Sequence, residues 1–205
     1  MVDDYKNDLF ISYNRIGDTA EWLEKHLVPM LKERLDLELG RDSEVFYDGQ
    51  LASGGTWPAE LGIELGRSRV LLALWSKPFL NSKWCAREVA IMRAREDRLH
   101  LRSTANPKGT IAISVIHDGE TLPHELSMIQ KFEIKEFYNT RMVRGGNLAE
   151  GLFQRISEEA VNLAAMIENA PPFQQDWLQE AAEAFFETFY QGERVGQTAP
   201  PRFSI

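Results

Sequence analysis

An α/β fold built on a five-stranded parallel sheet is what the sequence predicts, and three observations carry that reading. Short β-rich apolar runs alternate with stretches of helical periodicity five times, the pattern of strand and helix units in a parallel sheet. One of the runs, "SRVLLALWS" (68–76), is almost continuously apolar, as a strand covered on both faces must be. The polar residues able to carry chemistry follow the first three strands, where ligands of such sheets bind. Five units suit the flavodoxin-like strand order 2-1-3-4-5, with helices on both faces.

The first strand is "DLFISYN" (8–14), followed by a long helix marked by Trp22, Leu23, His26, Leu27, Met30, Leu31 and Leu35. "SEVFYD" (43–48) is the second strand. The loop "GQLASGGTWP" (49–58) is loosened by Gly49, Gly54 and Gly55, and Pro58 suits the first turn of a short helix, "WPAELGIELGRS" (57–68). The central strand at 68–76 leads to a helix that contains "SKWCAREVAIM" (82–92) and runs to about Arg98. A polar excursion at 99–109 precedes the fourth strand, "TIAISVI" (110–116). A loop or short helix covers 119–130, and "KFEIKEF" (131–137) is a weaker strand whose charges suit an edge. A last amphipathic helix of the sheet domain spans roughly 147–169. These elements predict one domain over 1–170. Beyond Pro171 and Pro172, "FQQDWLQEAAEAFFETFYQ" (173–191) reads as a further helix with a Gly/Pro-bearing tail to 205. The aromatic residues Trp177, Phe185, Phe186, Phe189 and Tyr190 are expected to fold back on the core.

Composition narrows the function. The 205 residues are 43% hydrophobic and 26% charged, an ordinary globular balance. A formal net charge of -8 argues against binding to nucleic acid or to an anionic membrane surface, both of which need a basic face. No apolar run approaches the roughly 18 residues of a membrane span, and the N-terminus lacks a signal-peptide pattern, so the chain is expected in the cytoplasm. The single cysteine, Cys85, can form no internal disulfide and reads as a small buried hydrophobe. His26, His100, His117 and His124 show no metal-binding spacing, so no metal site is expected.

The common chemistries of such sheets lack their motifs. There is no GxxxxGK(S/T) phosphate loop, no GxGxxG after the first strand and no GxSxG elbow. A phosphoacceptor aspartate is also missing, since the third strand ends in Trp75 and Ser76. The strand ends offer instead Ser12, Tyr13, Asn14 and Arg15, then Asp48, then Ser76 leading to Trp84 and Glu88. Such a set suits a ligand with hydroxyls, phosphates and flat rings: serine, asparagine and carboxylates for ribose hydroxyls, arginine for phosphate, tryptophan for stacking.

"DLFISYN", "VFYDGQLASGGTW", "SRVLLALWS" and "NSKWCAREV" together resemble the successive motifs of the TIR (Toll/interleukin-1 receptor) domain in its bacterial and plant style, over about residues 7–165. The W-C-x-x-E run is the most specific piece. The resemblance implies an NAD glycohydrolase or cyclase in which Glu88 is catalytic, Trp84 and Trp57 lie beside the substrate, and 48–57 is the BB loop. It implies NAD as substrate with no cofactor, TIR to TIR self-association, and an ADP-ribose-derived signal passed to a separate effector. A chain of this length with one such unit resembles the stand-alone TIR proteins of antiphage defence, such as the TIR subunit of Thoeris systems.

Plainer readings stand beside these. On spacing alone Glu88 is a solvated helix residue paired with Arg87 or Arg95, Trp84 a core aromatic, Asp48 a turn cap and Arg15 a solvated cation. Gly62 and Gly66, four apart, suggest close packing. Two other functions share the fold: a non-enzymatic TIR adaptor, and an enzyme similar to nucleoside deoxyribosyltransferases.

Overall fold

The computed structural model describes residues 5–50, 57–105, 107–117, 122, 126–181 and 183–184. Five parallel strands, β1 (Asn7–Ser12), β2 (Val45–Tyr47), β3 (Ser68–Trp75), β4 (Ile111–Val115) and β5 (Lys131–Glu133), lie in the order β2-β1-β3-β4-β5, as the sequence predicts. The register sets Phe10 beside Phe46 of β2 and Leu71 of β3, and Ser12 beside Ala73. β5 takes the edge, where its exposed Lys131 and Glu133 blunt further pairing.

Alternation along the strands builds two cores, one on each face. Leu9, Ile11, Val70, Leu72, Leu74 and Ala112 face α1 (Thr19–Trp22), the helical turns that follow it, α2 (Val28–Leu39) and α6 (Asn147–Glu168). Phe10, Leu71, Ala73, Trp75, Ile111 and Ile113 face α3 (Trp57–Gly66), α4 (Lys77–Asn81) and α5 (Lys83–Arg98). Ser12 follows Phe10 in period and therefore points to the α5 side.

The first helical stretch contains a π segment, Leu23–Leu27, which the sequence reading did not foresee. Its cause is visible in the spacing: Leu23, Leu27, Leu31 and Leu35 are all buried and recur every four residues. In an α-helix of 3.6 residues per turn each such step overshoots by about 40°. One wide turn absorbs part of the drift and keeps the leucines on the sheet. The stretch ends at Gly40, whose φ of 65° is the left-handed cap that glycine adopts without strain.

Three predicted strands are shorter than their apolar runs. β1 ends at Ser12 because Asn14 Oδ1 accepts from the Ile16 amide at 2.9 Å and turns the chain. β2 stops where Asp48–Gln50 begins a 3-10 turn, and past β5 the residues Lys135–Phe137 form another. A separate short helix, α4, stands where no element was expected. The expected loop or helix at 119–130 lies mostly outside the described residues.

One buried acid fastens α5 to β4. Glu96, fully buried, accepts from the amides of Thr110 and Ile111 and from Arg93 at 3.0 Å and Arg102 at 2.9 Å. Replacing it leaves two guanidinium groups and two amides unpaired in the interior. We expect Glu96→Ala to destabilise the fold by about 3–5 kcal/mol in equilibrium denaturation; a loss under about 1 kcal/mol would show that β4 is held by its strand pairing alone.

Candidate active site at the ends of β1 and β2

α5 begins where Ser82 caps the helix, its hydroxyl accepting from the Cys85 amide at 3.3 Å. The residues it turns inward are Cys85, Glu88, Val89, Met92, Arg95 and Glu96, a stripe of helical period in which apolar side chains are the rule. Glu88 therefore enters the protein with the core residues and is only 5% exposed. It meets Ser12, the last residue of β1, whose Oγ donates a short hydrogen bond to Glu88 Oε2. Ala73, paired with Ser12 across the sheet, keeps this part of the face narrow.

Glu88 is thus neither solvated nor paired with Arg95, whose guanidinium points elsewhere. Burial pushes its carboxyl up to about 8, the nearby Asp48 charge pushes the same way, and the Ser12 hydrogen bond opposes both. Cys85 one turn earlier is also buried, with Sγ 3.5 Å from the Tyr13 carbonyl oxygen. Burial pushes its thiol up to about 12, with a further push from Glu88, so it is inert as a nucleophile.

The residues after β1 divide into two groups. Arg15 Nε reaches Asp48 Oδ2 at 2.8 Å, and the Tyr13 phenol, raised by burial and then by the Asp48 charge, stands beside both. Asp48 is therefore more than a turn cap. Its other oxygen, Oδ1, is buried without a hydrogen-bond partner among the described residues. Asn14 belongs to the scaffold instead: its Nδ2 donates to the Pro78 carbonyl at 3.0 Å, tying the loop to α4.

Ser76 is buried just before α4, and its side chain makes no cap hydrogen bond. Trp84 is half-buried against the core of the α5 face, with Lys83 Nζ 5.2 Å from its ring centroid. The Trp57 side chain, like most of the expected BB loop, lies outside the described residues. The structure thus unites Ser12 with Glu88, and Tyr13 and Arg15 with Asp48, with Asp48 near enough to influence Glu88.

A family model for the TIR domain matches residues 9–141. The chain belongs to the TIR domain family. Every candidate residue from Ser12 to Glu88 lies within the match, whereas α6 and the residues after it lie beyond it. No curated protein matches the chain. Among the described residues of this TIR domain no helix is long and apolar enough to cross a membrane, and no cluster of His, Cys, Asp and Glu could hold a metal ion.

The raised Glu88 carboxyl has a sign that can be checked. Folded, it holds a proton up to about 8, while the unfolded chain releases it near the usual 4.5. The native state binds more protons across that window, so this group costs stability as pH rises through it. Glu88→Gln, which cannot ionise, should therefore gain on the wild type between pH 4.5 and 8 in thermal melts, by up to a few kcal/mol, and keep a constant lead above it. Parallel stability curves over that range would show that Glu88 is solvated.

Proposed function

We propose that this TIR domain cleaves the nicotinamide–ribose bond of NAD, with Glu88 as the catalytic carboxylate. The observation that carries the reading is a carboxyl group buried in a helix stripe, held by one neutral hydroxyl, at the strand ends where ligands of this fold bind. Such an arrangement costs stability, and polar groups kept in the interior at a cost concentrate at functional sites.

The chemistry needs little more. Nicotinamide in NAD is a positively charged leaving group, so its departure requires no general acid, unlike glycoside cleavage with its two carboxylates. As the C–N bond breaks, the electron pair leaves with nicotinamide and the ribose carbon gains oxocarbenium character. A carboxylate already aimed at that sugar stabilises the new charge. Water then adds to the ribose carbon and loses a proton, giving ADP-ribose; attack by an internal group of the same molecule would give a cyclic product.

Around Glu88 the remaining groups suit the other parts of the substrate. Asp48 Oδ1, buried and unsatisfied, can accept from a ribose hydroxyl, and Arg15 can exchange its exposed ion pair for a phosphate. Trp84 can stack on a ring, with Trp57 and Ser76 at the rim. Tyr13 fixes Asp48, and Asn14 holds the loop that carries Arg15.

The wider reading follows the likeness to stand-alone TIR proteins: residues 1–170 act as the catalytic unit in the cytoplasm, associate through TIR to TIR contacts, and make an ADP-ribose-derived signal for a separate antiphage effector, as in Thoeris systems. Residues 171–205 are an appended segment.

The test is nicotinamide release from NAD by the purified chain over a range of protein concentrations. Glu88→Ala should lower it by about 100-fold or more, the usual effect of removing one transition-state stabiliser. Release that survives the substitution would remove Glu88 from the chemistry, and no release at any concentration would favour the adaptor reading.

A further inference from the structure

We propose that the Ser12–Glu88 pair selects its ligand by charge: the resting site holds Glu88 protonated, and a cationic ligand displaces that proton on binding. The inference rests on the NAD reading and deepens it, because the oxidised nicotinamide ring is a cation and the reduced ring is neutral.

The geometry supplies no cation for Glu88 among the described residues. From β1 the contact is the Ser12 hydroxyl, which donates but brings no charge. From the turn after β2 comes Asp48, of the same sign as an ionised Glu88. Arg15, the cation of the neighbourhood, has its Nε on Asp48 and is itself more than half exposed. Tyr13 and Cys85, the other titratable neighbours, are both kept neutral by burial. The stretch 51–56, Leu-Ala-Ser-Gly-Gly-Thr, has no ionisable side chain to add.

A carboxylate buried in that company is better neutral, since an unpaired interior charge costs more than protonation does. Burial as the leading cause of the raised carboxyl agrees with this. An opposite charge within roughly 4–6 Å reverses the balance and favours the ionised form. The ligand thus brings the missing partner, and the proton leaves. A neutral ring offers nothing in exchange and meets a protonated acid. Ser12 biases the pair toward release, because its hydrogen bond is the one contact that favours the charged form.

The experiment compares two probes on the full chain: carba-NAD, whose carbocyclic sugar keeps the cationic ring but resists cleavage, and NADH. Calorimetric titrations at pH 7 in two buffers of different ionisation enthalpy count the protons exchanged. We expect about one proton released per carba-NAD bound, none with NADH, and none from Glu88→Gln, with carba-NAD affinity rising about tenfold per pH unit up to neutrality while NADH affinity stays flat. Ser12→Ala should hold the proton more tightly and weaken carba-NAD binding, and Ser12→Thr, which keeps the hydroxyl, should restore it. An infrared band of a protonated carboxyl should be present in the free wild type and vanish with carba-NAD, a readout that does not depend on a variant folding.

Binding heats for carba-NAD that are the same in both buffers, or a proton still released by Glu88→Gln, would overturn the inference. If nicotinamide release from NAD nonetheless requires Glu88, the enzymatic reading survives that result. If neither probe binds and no nicotinamide is released, both fall together.

Discussion

The packing of α5 on the sheet is the constraint from which the site follows, because the stripe that makes the contact carries three ionisable side chains. Each is accommodated differently. Glu96 receives two amides and two arginines, a full complement that makes it part of the scaffold. Arg95, only 3% exposed, donates to the carbonyls of Ser68 and Gly66 and lies 4.1 Å from the Trp177 ring centroid, so its charge is shared by dipoles and a π face. Glu88 has a single hydroxyl. Of the three it is the one whose surroundings leave work for a ligand, and that contrast within one helix says more than its burial alone.

The far half of α5 is secured from outside by residues after α6. Tyr5 donates to the Pro171 carbonyl at 2.8 Å and packs with Phe173 and Trp177, while Gly66 lets Leu178 and the Trp177 carbonyl approach to about 3.1 Å of where a Cβ would stand. Arg98 adds ion pairs to Asp176 and Glu180. These are exposed and contribute little to stability. The aromatic contacts and the close glycine approach do more, since they remove apolar surface from water. With Ser82 capping its start and this segment bracing its end, α5 is held along its length, which fixes the direction from which Glu88 meets β1.

The sheet was legible because its strands are written as apolar runs that only a covered sheet can use, and β5 was readable as an edge from its charges. What escaped depended on tertiary contact. The π turn answers a four-residue leucine spacing whose consequence appears only against the sheet. Trp177 was rightly expected to fold back, but its partner Arg95 had been set aside as a possible mate for Glu88. Phe185, Phe186, Phe189 and Tyr190 lie outside the described residues. Within the site, Ser12, Tyr13, Arg15, Asp48 and Glu88 were all legible as strand-end residues, yet the hydrogen bond joining Ser12 to Glu88 was not, because spacing places Glu88 on a helix without saying which face is inward. The buried stripe would have revealed it: Cys85, Glu88, Val89 and Met92 share the period of the core, and the carboxylate was read as exposed only because carboxylates usually are.

The two ion systems of the site are coupled through Asp48, and the coupling has a direction. At rest Arg15 offsets the Asp48 charge, and Glu88 feels what remains. On the NAD reading, a phosphate that drew Arg15 away would leave Asp48 a stronger anion beside Glu88 and make ionisation of Glu88 harder. The cationic ring works in the opposite sense. A ligand that carries phosphate without the cation therefore meets a site less able to ionise, and one that carries both supplies the charge that the loss of Arg15 removes. A fragment presenting the two parts separately cannot do this. The arrangement favours a molecule in which phosphate and cationic ring are joined across one ribose, because only then does each group compensate for what the other disturbs.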